Sequence, residues 1–121
     1  MRFWLLFSTL VLVLTACVQP PMYQWGGYEN GLYKSYHDPN QVEALRIDLE
    51  NHINDLESQQ QKVAPGLYAE LGTLYFQKGD SDAAKRYYAK ERDAWPESRG
   101  FMTAMIETIE RRQQPPAKDV Q

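Results

Sequence analysis

The sequence contains very few cysteines and histidines, the residues that form disulfides and bind most transition-metal ions. Its 121 residues include one cysteine, so no internal disulfide framework is possible. The two histidines, His37 and His52, belong to no shared motif, and no cysteine or histidine pair has the spacing of a metal site. Rings are plentiful by contrast, with 8 tyrosines, 3 tryptophans and 4 phenylalanines. The composition therefore predicts a chain without bound metal that is stabilised by an aromatic-rich core.

The features of enzymes and nucleic-acid-binding proteins are missing as well. The formal net charge is −3, which indicates no broad basic surface for nucleic acid. No glycine loop precedes a basic residue as a phosphate site requires, and no serine occupies a nucleophile elbow. The acid pair Glu107 and Glu110 fits a solvated helix flank. We therefore predict no enzymatic activity, no nucleic acid partner and no small-molecule substrate.

The chain also lacks an apolar run long enough to span a bilayer. Arg2 precedes a short apolar run at residues 3–14, and Leu-Thr-Ala-Cys ends it at residues 14–17. A run of this length is typical of a signal peptide rather than a membrane-spanning helix. The four closing residues resemble the bacterial lipobox, in which a lipidated cysteine becomes the first residue of the mature chain.

The lipobox resemblance implies a signal peptide at residues 1–16, cleavage after Ala16 and a diacylglyceryl thioether on Cys17. Two or three acyl chains give a stable anchor, whereas one gives a marginal one. Val18 follows, and lipoproteins of this kind without an aspartate there go to the outer membrane, facing the periplasm. Covalent lipid on Cys17 is the only cofactor expected. The alternative is an ordinary signal peptide with an incidental cysteine.

A short tether at residues 17–24 leads from this cysteine into an aromatic segment. Two adjacent prolines in the tether favour an extended backbone. Gly26 and Gly27 then predict a bend, which leaves Tyr23 and Trp25 on a non-helical arm.

Beyond the bend, the sequence predicts a short helix. Tyr28, Leu32 and Tyr36 are spaced to share its inward face, and Tyr33 lies close to that face. The rings of this segment either cover the open end of a helical core or form a docking surface for a partner protein, and both roles can hold in part. The candidate partner-binding residues are Tyr23, Trp25, Tyr28, Tyr33 and Tyr36.

The next helix is predicted at residues 41–60, with Asp38 or Asn40 as its cap. Its apolar residues recur at intervals of three and four, which places them on one face. They are Val42, Leu45, Leu49, Ile53 and Leu56. A polar loop at 58–64 follows, and Pro65 is predicted as the first residue of the helix after it.

Residues 65–96 have the spacing of a tetratricopeptide hairpin, with tyrosine in two ring positions. The positions are Tyr68, Leu71, Gly72, Tyr75, Gly79, Ala84, Tyr88 and Pro96. Small residues at Gly72 and Ala84 allow two antiparallel helices to approach closely. We expect Gly79 to end the first helix in a left-handed conformation, and Asp80 or Ser81 to cap the second.

A last helix is predicted at residues 97–113, where a second repeat would begin. A shift by one repeat length maps the hairpin's Tyr68, Leu71 and Tyr75 onto Met102, Met105 and Ile109. Because one repeat cannot bury its own faces, the helices on either side must cover it. We therefore predict a small all-α, tetratricopeptide-like array of four to five helices at residues 25–113, followed by a flexible tail at 114–121.

Two motifs resemble a family of small, uncharacterised Gram-negative lipoproteins. They are Tyr-x-Trp-Gly-x-Tyr-Glu-x-x-Leu-Tyr, and Pro-Gly-Leu-x-Ala-x-Leu-Gly-x-Leu-Tyr with Trp-Pro-Glu-Ser after it. The resemblance covers residues 23–109. Members are typically encoded between a lipoprotein resembling the curli-secretion pore family and a second small lipoprotein. The resemblance implies a periplasmic complex attached to the outer membrane, and no catalytic residue.

These observations predict a non-catalytic assembly or accessory subunit of an envelope complex, for instance one with a secretion-like pore. Its expected partners are membrane lipid and other envelope lipoproteins. Two other functions remain open, namely a self-contained structural lipoprotein and a module that binds an exported peptide or the cell wall. Glu91 replaces the small residue usual three positions after the second ring, which argues against a standard peptide-binding groove.

Overall fold

The computed structural model describes residues 21–115, and these residues form five α-helices and no strand. The helices are α1 (Tyr28–His37), α2 (Val42–Ser58), α3 (Leu67–Gln77), α4 (Ser81–Ala94) and α5 (Arg99–Gln113), with 3-10 turns at Pro39–Gln41 and Pro96–Ser98. The predicted small all-α array is confirmed. None of these five helices is both long enough and apolar enough to cross a membrane. The predicted signal peptide, Cys17 and residues 116–121 of the tail lie outside the described residues.

The α3–α4 hairpin packs at the two small residues that the tetratricopeptide spacing identifies. A Cβ atom on Gly72 would lie 2.8 Å from Cδ1 of Tyr88 and 3.2 Å from the backbone oxygen of Ala84. Since both of these neighbours are buried, the two helices meet with no room for a side chain at Gly72. The other large residues of the spacing on α3 lie at helix interfaces, and they are Tyr68, Leu71 and Tyr75.

Gly79 and Asp80 form the turn between α3 and α4, as predicted. Gly79 has a φ of +92°, a conformation that glycine adopts readily because it lacks Cβ. Oδ1 of Asp80 accepts a hydrogen bond from the N–H of Ala83 at 2.9 Å and so caps α4. Of the two candidates for this cap, Asp80 and not Ser81 performs the role.

The predicted apolar stripe of α2 faces the core. Its last four members are buried and its first is half-buried against the same cluster; in order they are Val42, Leu45, Leu49, Ile53 and Leu56. Oδ1 of Asp38 accepts a hydrogen bond from the N–H of Asn40 at 3.0 Å, so Asp38 caps the 3-10 turn that leads into α2. The periodic spacing thus placed this helix on the core correctly.

The last helix occupies the position of the first helix of a second repeat. Met102 and Ile109 are buried, and Met105 is half-buried against the cluster that contains Ala84 and Tyr88. Pro96 opens a 3-10 turn, and α5 follows it without a break. As the repeat logic predicts, α5 covers the outer face of α4.

The prediction that Pro65 is the first residue of a helix is wrong, because α3 begins at Leu67. Gly66 has a φ of +91° and forms a turn before the helix. Its N–H donates to Oε1 of the buried Glu91 at 2.8 Å, and the hydroxyl of Ser98 donates to the same oxygen at 3.2 Å. The carboxylate of Glu91 thereby connects α4 to the start of α3 and to the turn before α5.

Candidate interaction site

The arm before α1 is docked on the helical array rather than free. The ring of Tyr23 meets the ring of Trp95 edge-on, with centroids 5.5 Å apart. The amide of Gln24 donates to Oε1 of Gln61 at 3.0 Å, and Nε2 of His52 donates to the backbone oxygen of Gln24 at 2.8 Å. The arm is non-helical as predicted, but side chains from α2, from the α2–α3 loop and from the end of α4 hold it in place.

Two predictions about the arm need correction. Residues 23 and 24, assigned to an extended tether, are part of the folded unit. Tyr23, expected to stay available to a partner, is half-buried because it packs against Trp95. Trp25 remains 39% exposed and lines a cavity of about 30 Å³ between the arm, α1 and α2. That volume is the size of one or two water molecules, too small for an organic ligand.

The inward face of α1 is formed by Tyr28, Gly31, Leu32 and Ser35. A Cβ atom on Gly31 would lie only 2.8 Å from Cδ1 of Leu45, so α1 and α2 touch at this glycine. Tyr28 and Leu32 pack against the core as predicted. Burial, together with the nearby Glu70 and Tyr36, raises the pKa of the Tyr28 phenol to about 12.

The prediction that Tyr36 faces inward is wrong, because the side chain is 82% exposed. Eight residues of helix rotate a side chain about 80° beyond two full turns, whereas seven residues return it to within about 20°. Ser35, seven residues after Tyr28, therefore occupies the inward position instead. A spacing of four residues keeps Tyr28 and Leu32 on the inward face. A second step of four residues, to Tyr36, leaves that face.

Tyr33 and Tyr36 point outward together, and with His37 they form what we call the outer tyrosine face of α1. The prediction that Tyr33 lies close to the inward face is also wrong, because Tyr33 is 65% exposed. Its ring lies 4.3 Å from the ring of His37, centroid to centroid. Nδ1 of His37 donates to the backbone oxygen of Tyr33 at 2.9 Å. The two tyrosines lie three residues apart and thus on one side of the helix.

A polar network on α2, α3 and α4 was not predicted from the sequence. Oε1 of Glu50 accepts hydrogen bonds from the hydroxyls of Tyr75 at 2.6 Å and Tyr87 at 3.0 Å, and Oε2 accepts one from Arg46 at 2.8 Å. Burial disfavours the charged carboxylate, but these three donors outweigh it and lower the pKa of Glu50. The i, i+4 spacing of Arg46 and Glu50 was the only feature of the sequence that could have indicated this network.

A second bridge of the same kind involves Glu57, whose Oε1 accepts from the hydroxyl of Tyr68 and from Nζ of Lys90, both at 2.7 Å. Together the two networks engage rings of α3 and α4 with carboxylates of α2. These tyrosines and carboxylates therefore stabilise the packing of α2 against α3 and α4. Within residues 21–115 no group of three or more histidine, cysteine or acidic side chains is placed to hold a metal ion.

The fold and the docked arm define a small all-α, tetratricopeptide-like array with an aromatic helix at its amino-terminal side. The chain belongs to the family described as domain of unknown function DUF4810, whose model matches residues 22–105. The match spans the arm, α1 to α4 and the first half of α5, so the arm belongs to the family unit. Comparisons with curated proteins and with solved structures found no match.

Replacing Tyr28 with alanine is expected to lower the free energy of unfolding by about 2 kcal/mol, somewhat less than removal of a fully buried ring. The ring contributes to the interface of α1 with the core and is half-buried there. Tyr36→Ala, on the same helix, is the matched control and should cost about 0.5 kcal/mol or less. Chemical denaturation of the two variants without the amino-terminal segment measures the difference, and equal losses would contradict the assigned inward face.

Proposed function

We propose that this chain is a lipoprotein anchored in the outer membrane through Cys17, facing the periplasm, and that it serves as a non-catalytic assembly or accessory subunit of an envelope complex. The anchor is supported by the Leu-Thr-Ala-Cys sequence after a short apolar run. The subunit role is supported mainly by the outer tyrosine face of α1, described above.

The exposure of Tyr33 and Tyr36 is the observation that carries this proposal. Two large rings on one side of a short helix expose apolar area to water, whereas the inward face of the same helix is packed against the core. Tyrosine is enriched in the centres of protein interfaces because its ring contributes area and its hydroxyl a hydrogen bond. Since an acyl anchor already retains the chain at a membrane, retention gives no reason for these rings.

The partner we propose is a neighbouring envelope lipoprotein. The resemblance to a family of small Gram-negative lipoproteins supports this choice, because members of that family are typically encoded beside a lipoprotein that resembles the curli-secretion pore family. A non-catalytic role agrees with the site, where carboxylates and tyrosines of α2, α3 and α4 are paired with one another. The outer tyrosine face offers contact area rather than reactive groups.

The test is co-purification of the two lipoproteins from gently solubilised outer membrane. The double variant Tyr33→Ala/Tyr36→Ala should fold normally, since neither ring is buried, but should lose most of the co-purified partner. Phe101→Ala on α5 is the matched control, because Phe101 is also exposed, at 67%, and lies on another helix. Its partner recovery should equal that of the wild type.

Three other results would redirect the proposal. Full partner recovery with the double variant would exclude the outer tyrosine face as the docking surface. Retention of the wild-type chain on purified cell wall, lost in the double variant, would favour a cell-wall-binding module. Absence of any partner, with only stability changed by variants of the aromatic segment, would favour a self-contained structural lipoprotein.

A further inference from the structure

The helices of the array have two distinct ends, and the arm is attached to only one of them. At what we call the arm end lie the α2–α3 loop, the start of α3 and the α4–α5 turn. These parts contact one another. Nζ of Lys62 lies 3.7 Å from the centre of the Trp95 ring, and the carboxylate of Glu91 accepts hydrogen bonds from Gly66 and Ser98. The docked Tyr23 also belongs to this end.

At the opposite end, which we call the far end, lie the start of α2, the α3–α4 turn and the end of α5. Nζ of Lys78 donates to Oε1 of Glu43 at 2.9 Å, which joins α3 to α2. Nζ of Lys85 donates to Oε1 of Gln113 at 3.0 Å, which joins α4 to α5. The 14 residues of α4 between the two ends correspond to a length of about 21 Å.

The covalent distance from the proposed anchor to the arm end is no longer than this. Six residue steps separate Cys17 from Tyr23, the first arm residue in contact with the array, and a fully extended chain covers at most about 20 Å in that number. An inverted array would therefore need a fully extended tether and would press its far end against the bilayer. That end carries charged side chains such as Asp82 and Lys78, so insertion is strongly unfavourable.

A second observation distinguishes an upright array from one that lies on its side. Met22, the second described residue, is 85% exposed and is located on the arm beside the short link to Cys17. An exposed apolar side chain this close to an acyl anchor can be buried at the boundary between headgroups and acyl chains. That burial favours orientations in which the arm end approaches the membrane.

We propose that the arm end of the array rests on the periplasmic surface of the bilayer, with the helices roughly upright. This inference depends on the proposed lipidation of Cys17 and adds an orientation to it. The outer tyrosine face then points sideways, parallel to the membrane. Its partner is accordingly a second protein anchored in the same leaflet, rather than one approaching from the middle of the periplasm.

The charges at the arm end indicate that the tether, and not electrostatic attraction, sets this orientation. Lys90 is paired with Glu57 at 2.7 Å, and Arg92 with Asp93 at 3.1 Å. Lys62 lies over the Trp95 ring. Because these cations alternate with acids instead of forming a basic patch, raising the salt concentration should leave the orientation unchanged.

The experiment places one fluorophore at either end of the lipidated chain. Since Cys17 carries the lipid, a new cysteine is the only free thiol. Glu97→Cys at the arm end and Asp82→Cys at the far end remove the same charge from exposed positions and form a matched pair. Each labelled chain is reconstituted into phosphatidylethanolamine and phosphatidylglycerol vesicles, some of them with a nitroxide quencher on the lipid headgroup. Quenching should be several-fold stronger at position 97.

A further variant tests whether the docked arm determines the orientation. Tyr23→Ala/Gln24→Ala/His52→Ala removes the ring contact with Trp95, the hydrogen bond to Gln61 and the hydrogen bond from His52, which lengthens the free tether. The difference in quenching between the two labelled positions should then shrink, while helical circular dichroism persists. An undiminished difference would show that the docked arm does not set the orientation.

The outcomes separate this inference from the proposed anchor. Vesicle flotation of the same preparations reports the anchor alone, and failure to float would overturn both the anchor and the orientation. A chain that floats but shows equal quenching at positions 82 and 97, or stronger quenching at 82, would overturn the upright orientation and leave the anchor intact.

Discussion

Gly72→Leu is expected to destabilise the domain by about 1–3 kcal/mol, the usual cost of overpacking a well-packed core. The effect should be large because the new side chain meets two kinds of obstacle. One is the ring of Tyr88, whose Cδ1 and Cε1 atoms would lie 2.8 and 2.9 Å from the first added carbon. The other is the backbone oxygen of Ala84 at 3.2 Å, which moves only if α4 moves.

Tyr88 has little freedom to avoid this contact. Its ring is buried between α3, α4 and α5, and its hydroxyl lies 3.1 Å from the hydroxyl of Thr73, within hydrogen-bond distance. A ring shift would therefore disturb that hydrogen bond as well as the apolar cluster between α4 and α5. For the same reason Gly72→Ala is expected to destabilise the domain measurably, although alanine favours helices more than glycine does.

Gly100→Leu is the matched control for this prediction. Gly100 also lies in a helix, α5, but a Cβ atom there would have no neighbour within 4 Å. Leucine at that position should be neutral or stabilising because it favours helix. Thermal and chemical denaturation of both variants measures the contrast. If Gly72→Leu unfolds at the wild-type temperature, the close contact of α3 and α4 is wrong.

Cys17→Ser is expected to leave the chain unlipidated. The thiol of Cys17 is the only one in the chain, so no other residue can accept the diacylglyceryl group. The variant should appear in the soluble periplasmic fraction or remain an unprocessed precursor, with altered electrophoretic mobility. Metabolic labelling with a fatty acid should mark the wild type and leave the variant unmarked.

Val18 gives this experiment its control. A conservative change at residue 18, Val18→Ile, should leave lipidation and outer-membrane fractionation unchanged. Unaltered fractionation and mobility of Cys17→Ser would instead refute the anchor itself. Recovery of the wild type in the inner membrane would refute only the proposed sorting to the outer membrane, which is inferred from Val18 and not from the thiol.

Local periodicity was sufficient to predict most of the helices. The apolar stripe of α2 and the small residues of the hairpin recur at the period of an α-helix. This periodicity can be read from a short stretch of sequence, without knowledge of the tertiary contacts. Errors appeared where a short helix left little periodicity to measure. In α1, a spacing of four placed Tyr36 inward, whereas the continuing turn of the helix places Ser35 there.

The docked arm and the Glu91 carboxylate could not be predicted in this way. Trp95 lies far along the chain from Tyr23, and no spacing rule relates them, since their contact exists only once α2, α3 and α4 have assembled. Glu91 looked like a departure from the repeat, yet it binds the amide of Gly66 and the hydroxyl of Ser98. The partner atoms of a buried carboxylate are defined by three-dimensional proximity.

The sequence by itself determined the helical class, the hairpin and the membership of residues 22–105 in a family, because these depend on spacing and local propensity. Only the tertiary structure decided which rings are exposed. Tyr23 is covered because the end of α4 comes to lie beside the arm, while Tyr33 and Tyr36 stay in water because α1 has no neighbour on its outer side among the described residues. Exposure depends on which segments meet, and that is settled by packing between residues distant in sequence.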